Sequence, residues 1–97
     1  VDAGIGGATS ERVGQKLKQL ATTHQVICIT HLAQIAKFGN SQYRILKTVD
    51  NNRTFTTIAP LTDEAERIAE LARMIGGEEV TSATLAHARE LLKQSQA

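Results

Sequence analysis

The feature that most constrains the fold of this chain is a short apolar run at residues 25–30, which reads Gln-Val-Ile-Cys-Ile-Thr. The run is rich in β-branched residues and apolar on both faces, which is typical of a strand buried in a parallel sheet. An amphipathic helical pattern precedes it, from about residue 8 to residue 21. Because a helix followed by a buried strand is half of a βαβ unit, this order predicts the α/β class.

The strand that should precede this helix is missing from the sequence. The chain opens at Val1 without an initiator methionine, and residues 4–7 read Gly-Ile-Gly-Gly. Such a loop permits backbone freedom or the close approach of another group. We therefore expect the chain to be a piece of a longer protein that holds only part of its sheet.

The middle of the chain predicts a β-hairpin. Two strand-like runs, residues 43–49 and residues 53–59, flank the turn-forming sequence Asp-Asn-Asn at residues 50–52. Polar residues are interleaved through both runs, so one face of this sheet is expected to lie in water. Pro60 is predicted to end the second strand.

Helical patterns account for most of the remaining sequence. Residues 31–38 predict a short helix, and residues 62–75 predict a longer one with a broad apolar stripe and a glycine stop. Residues 81–94 predict a last helix with one apolar face. The expected architecture is a partial sheet with flanking helices and one β-hairpin. The expected N-caps of the last two helices are Asp63 for one and Thr81 or Ser82 for the other.

Length and composition limit the core. Of the 97 residues, 41% are hydrophobic but only 3% are aromatic, so the core must be small and the stability marginal. Some other surface is expected to cover part of the chain. No apolar run approaches the roughly 18 residues of a membrane span, and no membrane partner is expected. The single cysteine, Cys28, excludes an internal disulfide and favours a reducing, cytoplasmic setting.

Charge is spread unevenly along the chain. Residues 1–60 carry seven basic and three acidic side chains, whereas residues 61–97 carry four basic and seven acidic ones. The basic half is compatible with a surface that faces nucleotide phosphate or DNA. Two solvated helix faces of different charge explain the same asymmetry, and the absence of a dense Lys/Arg cluster favours this second interpretation.

The glycine-rich loop does not match a known phosphate-binding pattern. A dinucleotide fingerprint requires Gly-x-Gly-x-x-Gly, and although Gly4 and Gly6 fit, the third position is Thr9. A phosphate-binding loop with Gly-Lys-Ser/Thr is also absent from the sequence. On pattern alone, a plain turn is favoured.

A zinc site built on His24, Cys28 and His31 is not favoured, because three ligands cannot converge from one straight strand. His31 alone is more informative, since it follows the predicted buried strand, and ligands of open α/β sheets bind beyond the carboxyl ends of strands. A histidine there can donate a hydrogen bond to phosphate. By position it is equally well explained as a cap of the next short helix.

Other catalytic side chains are not supported. The serines lack a nucleophile elbow, and Cys28 falls in a predicted core strand. Four carboxylates lie close together on one predicted helix, and we expect them to be solvated surface charge rather than an acid/base pair. These carboxylates are Asp63, Glu64, Glu66 and Glu70.

Four segments in order resemble the RecN family of SMC-like, ABC-type ATPases. Residues 1–7 resemble the D-loop that follows the Walker B Asp-Glu, and residues 29–36 resemble the switch-histidine segment. Residues 71–77 and 81–92 resemble the C-terminal end of that family's head domain. General ABC ATPases commonly end the D-loop in Leu-Asp, whereas this chain has Ile-Gly, as RecN-like proteins do.

The resemblance implies that residues 1–97 are the C-terminal portion of an ABC/SMC-type head, a P-loop NTPase fold, cut just after Walker B. His31 would contact the γ-phosphate or the attacking water, and Gln34 would support it. The loop would cross to a second head in a homodimer, with contacts to the nucleotide site from Asp2, Gly4, Gly6 and Gly7.

The family resemblance also implies what the intact protein does. Two heads would sandwich ATP and Mg²⁺, and hydrolysis would be coupled to holding DNA ends in double-strand-break repair, in the cytoplasm and associated with the nucleoid. Walker A, the signature motif and Walker B are absent from these residues, so we expect the chain alone to bind no cofactor and to be inactive. The alternative is a non-catalytic module that binds protein or DNA.

Overall fold

The computed structural model describes residues 6–77 and 79–96. They form an α/β arrangement in which helices flank a two-stranded antiparallel sheet, so the predicted class and the hairpin are confirmed. None of the helices in these ranges is both long enough and apolar enough to cross a bilayer. The elements are α1 (Gly7–Leu20), α2 (Ala33–Ala36), β1 (Gln42–Asp50), β2 (Arg53–Leu61), α3 (Glu64–Gly76) and α4 (Ser82–Ser95).

The core lies between α3 and α4, with α2 against it. Leu71 and Ala72 of α3 and Ala88 of α4 are 0% exposed, Leu92 is 1% exposed, and Ala33 of α2 joins the same cluster. A fully buried leucine stabilises a fold by roughly 1.5–3 kcal/mol. Only two leucines among the described residues reach this degree of burial, so the expectation of a small aliphatic core is confirmed.

The ends of α3 and α4 follow the predicted signals. Asp63 accepts a hydrogen bond from the Glu66 amide at 2.8 Å, and the Thr81 hydroxyl accepts one from the Thr84 amide at 3.1 Å. Each cap satisfies an amide that would otherwise have no partner in the first turn. Gly77 then ends α3 with a φ of 70°, a backbone conformation that glycine adopts at little cost.

The hairpin turns on two asparagines. Asn51 and Asn52 have φ values of 49° and 64°, as a two-residue turn matched to the twist of the strands requires. The prediction that Pro60 ends β2 is wrong, because the strand continues to Leu61. Hydrogen-bonded and non-hydrogen-bonded pairs alternate outward from the turn, and this places the Tyr43–Pro60 pair at a non-hydrogen-bonded position. The missing N–H of the proline therefore costs no hydrogen bond within the sheet.

The predicted strand at residues 25–30 does not form. Within the described part of the chain these residues belong to no helix or strand, and Ile27 and Ile29 are 85% and 74% exposed. Cys28 is exposed as well. A strand requires a neighbour, and the only strands described here pair with each other at some distance along the chain. The prediction of a parallel-sheet strand at residues 25–30 is therefore wrong for the described residues, whose sheet is the predicted antiparallel hairpin.

Glu70 is not the surface charge that its helix pattern predicted. It is 7% exposed, and its carboxylate accepts hydrogen bonds from Arg73 Nε at 3.1 and 3.0 Å. Arg44 of β1 completes the cluster, with its Nε 3.3 Å from Glu70 Oε2. Hydrogen bonding to the Glu70 carboxylate raises the pKa of Arg73. The buried carboxylate thus links the hairpin to α3.

Candidate functional site

The described part of the predicted loop lies at the start of α1. Gly6 is the N-cap residue, with φ −84° and ψ 174°, and Gly7 is the first helical residue. A Cβ added at either position would meet no atom within 4 Å. Glycine is therefore not required at these two positions by the packing or backbone of the described chain. Asp2 and Gly4 lie outside the described residues.

The buried Ser10 stabilises the start of α1 through two hydrogen bonds to Gly6. Its hydroxyl donates to the Gly6 carbonyl at 2.8 Å, and its amide donates to the same oxygen at 2.9 Å. The serine is 1% exposed. Because both bonds are made within one helical turn, Gly6 is held rigidly to α1 and its position follows that of the helix.

His31 lies immediately before α2 and is exposed. The Leu32 amide donates to the Thr30 hydroxyl at 3.0 Å, and this local turn leads into the helix. Leu32 occupies the N-cap position of α2, so the alternative interpretation of His31 as the cap of that helix is wrong. Gln34 follows within α2 and is half-buried.

The two helices that carry these residues pack directly on each other. Gly14 of α1 is buried against Phe38, and a Cβ built on this glycine would lie 2.3 Å from Phe38 Cδ2 and 3.2 Å from the Gln34 carbonyl oxygen. Beside this contact, Lys37 Nζ lies 2.8 Å from both carboxylate oxygens of Glu11. The start of α1 and the segment that follows His31 are thus held against one another.

Several basic side chains of residues 1–60 form ion pairs or hydrogen bonds within the chain. Lys37 pairs with Glu11, Arg44 pairs with Glu70, and Lys18 donates to the Ser95 carbonyl. The remaining basic side chains of residues 1–60 are exposed on two separate elements, α1 and the hairpin. They are Arg12, Lys16, Lys47 and Arg53.

Metal ligands are not clustered in the described ranges, where no three His, Cys, Asp or Glu side chains are placed to hold an ion. The strand geometry that argued against zinc at His24, Cys28 and His31 does not apply, because that segment forms no strand.

One cleft of the described chain lies away from the predicted site residues. It has a volume of about 520 Å³ and lies between the base of the hairpin and the start of α3, and none of the predicted site residues lines it. Arg67 lines this cleft. It donates to Gln42 Oε1 at 3.1 Å and to the Gly39 carbonyl at 2.9 Å. Burial lowers the pKa of this arginine. Arg67 thus bonds to other residues of the chain, which indicates a structural role rather than a ligand site.

No protein-family model matches this chain. Individual relatives do match it. DNA repair protein RecN of Deinococcus radiodurans is 48% identical over 92 residues, which is 95% of the chain and 16% of that relative. DNA repair protein RecN of Vibrio cholerae is 46% identical over 92 residues, again 95% of the chain and 16% of the relative. The chain belongs to the RecN family.

One match covers the predicted site completely. DNA repair protein RecN of Streptomyces coelicolor is 41% identical over 97 residues, which is 100% of the chain and 17% of that relative. All six predicted site residues therefore lie inside a region that aligns with RecN. The chain spans about one sixth of the length of the curated RecN relatives that it matches.

Sequence reasoning missed two residues of this region. Lys37 is 2% exposed and Glu11 faces it across the α1–α2 contact, although both read as ordinary helix charges. The available signal was the position of Lys37, four residues after the buried Ala33 in a helical pattern. That spacing places a lysine on the inner face of the segment, where a partner is required.

Proposed function

We propose that this RecN-family chain is part of an ATP-binding and ATP-hydrolysing protein that acts in recombinational repair of DNA double-strand breaks, in the cytoplasm and at the nucleoid. The observation that carries the proposal is the alignment of the whole chain with proteins named for DNA repair, at 41–48% identity. The chain spans only about one sixth of them, so the activity belongs to the full-length protein.

The chain is best placed as the C-terminal portion of an ABC/SMC-type head with a P-loop NTPase fold. In this arrangement residues 25–30 would be a strand of the central sheet, and its neighbours would come from residues outside this chain. The exposure of Ile27 and Ile29, at 85% and 74%, supports this placement. Two large aliphatic side chains in water cost roughly 1.5–3 kcal/mol each relative to burial, which a covering sheet would recover.

The chemistry assigned to this chain is positioning and charge stabilisation. His31 would donate a hydrogen bond to the γ-phosphate of ATP or orient the attacking water, where charge develops during phosphoryl transfer. The His31 residue is exposed, which is compatible with contact to a bound nucleotide. Gln34, within the helix that follows, would support the segment. ATP and Mg²⁺ would be held mainly by the parts of the head that these residues lack.

The residues at the start of α1 would face a second head of the same kind. Asp2 and Gly4 would lie in the loop that crosses the dimer interface, and Gly6 and Gly7 would allow close backbone approach. The open space around Gly6 and Gly7 supports this role, because the described residues give no reason for glycine there. DNA would bind to the assembled protein rather than to the described residues alone.

The first experiment compares ATP hydrolysis by the full-length RecN-family protein with that of the 97-residue chain. We expect turnover by the full-length protein, and neither turnover nor calorimetrically detectable ATP binding by the chain. The chain lacks a phosphate-binding loop and a Mg²⁺ site, which dominate nucleotide affinity. Micromolar affinity of the isolated chain would contradict its assignment as an incomplete site. An inactive full-length protein would favour a non-catalytic interaction module.

Substitution of Gly7 by alanine separates folding from function. In the 97-residue chain we expect the free energy of unfolding to be unchanged or raised by up to about 1 kcal/mol, because alanine favours helix and its Cβ stands in open space. In the full-length protein we expect ATP turnover to fall, since the new methyl group obstructs the approach of the second head. Thermal unfolding and steady-state turnover measure the two effects. Equal ATP turnover by the full-length wild type and the full-length Gly7→Ala variant would show that this glycine contacts no partner.

A further inference from the structure

A buried lysine lies beside the proposed catalytic segment without a role in the chemistry described above. The Lys37 side chain is 1% exposed and its ammonium group is bound by Glu11 of α1, with both carboxylate oxygens 2.8 Å from Nζ. The same Nζ stands 5.0 Å from the centre of the Phe38 ring. Its carboxylate partner is more open to water, with the Glu11 side chain 36% exposed.

Joining two helices through a buried lysine carries a desolvation penalty. A lysine loses its hydration when it is buried, and a methionine or leucine of similar volume would pack at the same place without that loss. An ion pair differs from apolar packing because it defines the direction and length of the contact. The charged contact therefore restrains the position of one helix relative to the other more tightly than packing alone.

Lys37 joins two segments that carry the proposed site, namely α1 and the segment that runs from His31 through α2. Glu11 lies one turn after Gly7 on α1, whose first residue and N-cap belong to the proposed interface loop. Lys37 directly follows α2, and its amide is bonded to the Ala33 carbonyl at 3.0 Å. Phe38 then contacts Gly14 on the same face of α1. Residues 37 and 38 thus fasten the segment that begins at His31 onto the helix that begins at Gly7.

We propose that Lys37 is a positioning residue for ATP hydrolysis, which it serves by fixing His31 relative to the Gly6–Gly7 start of α1 through the buried ion pair with Glu11. The inference rests on the proposed function. A shift of Gly6 and Gly7 at the start of α1 moves the helix, and the ion pair carries this movement to the histidine segment. Lys37 itself touches neither nucleotide nor water in the reaction.

The test uses the full-length RecN-family protein with Lys37→Met, which keeps the length of the side chain and removes the charge. We expect kcat for ATP hydrolysis to fall by about tenfold to a hundredfold, the scale of a small misplacement of a catalytic group. KM for ATP should stay unchanged, because nucleotide affinity comes from other residues. The melting temperature should also be retained, since the apolar substitute fills the same volume. Lys93→Met, at an exposed lysine of α4, is the matched control and should behave as wild type.

Glu11 provides the second variant. Glu11→Gln retains an acceptor for the lysine but no charge, and we expect an intermediate loss of kcat, even if Lys37→Met does not fold. The double variant Lys37→Met with Glu11→Gln should be no worse than Lys37→Met alone, because both act through one contact. Unchanged kcat in Lys37→Met or in Glu11→Gln overturns the proposal. A loss of kcat that appears only where the variant has begun to melt shows a purely structural lysine and also overturns it.

The failure of the proposed function gives a different pattern. If wild-type protein does not hydrolyse ATP, the proposed function falls and the role of Lys37 falls with it. If wild-type protein is active and Lys37→Met equals it, only the inference about Lys37 is wrong. Active wild type with a selective kcat loss in the Lys37 and Glu11 variants supports both.

Discussion

Replacement of His31 by alanine is expected to lower ATP turnover by the full-length RecN-family protein by about 100-fold or more. The imidazole would donate to a group on which negative charge develops during phosphoryl transfer, and such a donor acts mainly on the transition state. We therefore expect kcat to fall while KM for ATP changes little. The measurement is steady-state hydrolysis with and without DNA, accompanied by nucleotide binding at equilibrium.

The chain contains a matched control for this substitution. His87 is exposed on α4, and His87→Ala removes the same group from a surface helix. It should leave turnover at the wild-type level. Equal activity of the His31 and His87 variants would remove His31 from the mechanism, whatever the full-length protein does with ATP.

Substitution of Gly14 by alanine is expected to destabilise the 97-residue chain by about 2 kcal/mol. The added Cβ would lie 2.3 and 2.7 Å from two Phe38 ring carbons and 3.2 Å from a backbone oxygen, so α1 must move away from α2. Such overpacking costs roughly 1–3 kcal/mol, and we place this case at the upper end because backbone as well as ring obstructs the methyl group. The better helix propensity of alanine offsets about 1 kcal/mol of it. Thermal unfolding followed by far-UV circular dichroism should show a midpoint temperature lower than that of the wild-type chain by roughly 8–16 °C.

A double-mutant cycle isolates the contact responsible. Phe38→Ala alone should destabilise the chain, because it removes a half-buried ring that packs against Gly14 of α1. In the Gly14→Ala background the same truncation should cost much less, since it makes room for the new methyl group. Gly7→Ala serves as the control for glycine replacement in the same helix. Strict additivity of the Gly14 and Phe38 substitutions would show that their clash does not set the stability.

Local signals predicted the elements that depend on local chemistry. The caps at Asp63 and Thr81 and the turn at Asn51–Asn52 each involve residues no more than three positions apart, so the sequence carries all the information needed. The strand at residues 25–30 was predicted by the same kind of pattern, yet a strand also requires a neighbour. No such neighbour lies within the described residues, so its apolar pattern has nothing to pair with.

The partners of the buried charged side chains could not be predicted from helical periodicity. Glu70 and Lys37 lie inside because partners from other elements, Arg44 and Glu11, reach them in the folded chain. These partners are 26 residues away along the chain in both cases, which no local window compares. Spacing could place Lys37 on the inner face of its segment, but it could not identify Glu11 or Arg44 as the partner of a buried charge.

The predicted site rests on a different kind of information. The roles of Gln34 and the glycine loop came from the resemblance of four segments to RecN, and the position of His31 after a predicted strand only suggested a phosphate contact that the resemblance made specific. Family membership is established by the relatives, whereas the roles of single residues stay predictions. Structure adds one constraint, because it joins α1 and α2 into a unit that carries both His31 and the described glycines.

The exposed aliphatic side chains of residues 26–29 also have a consequence for the fate of the polypeptide in a cell. Ile27 and Ile29 stand in a segment outside regular secondary structure, which is the kind of sequence that chaperones and proteases bind. If the chain belongs to a larger head as proposed, an incomplete head would leave this segment uncovered. In that case we expect the segment to act as a degradation signal that correct assembly covers, so that quality control would remove partial heads.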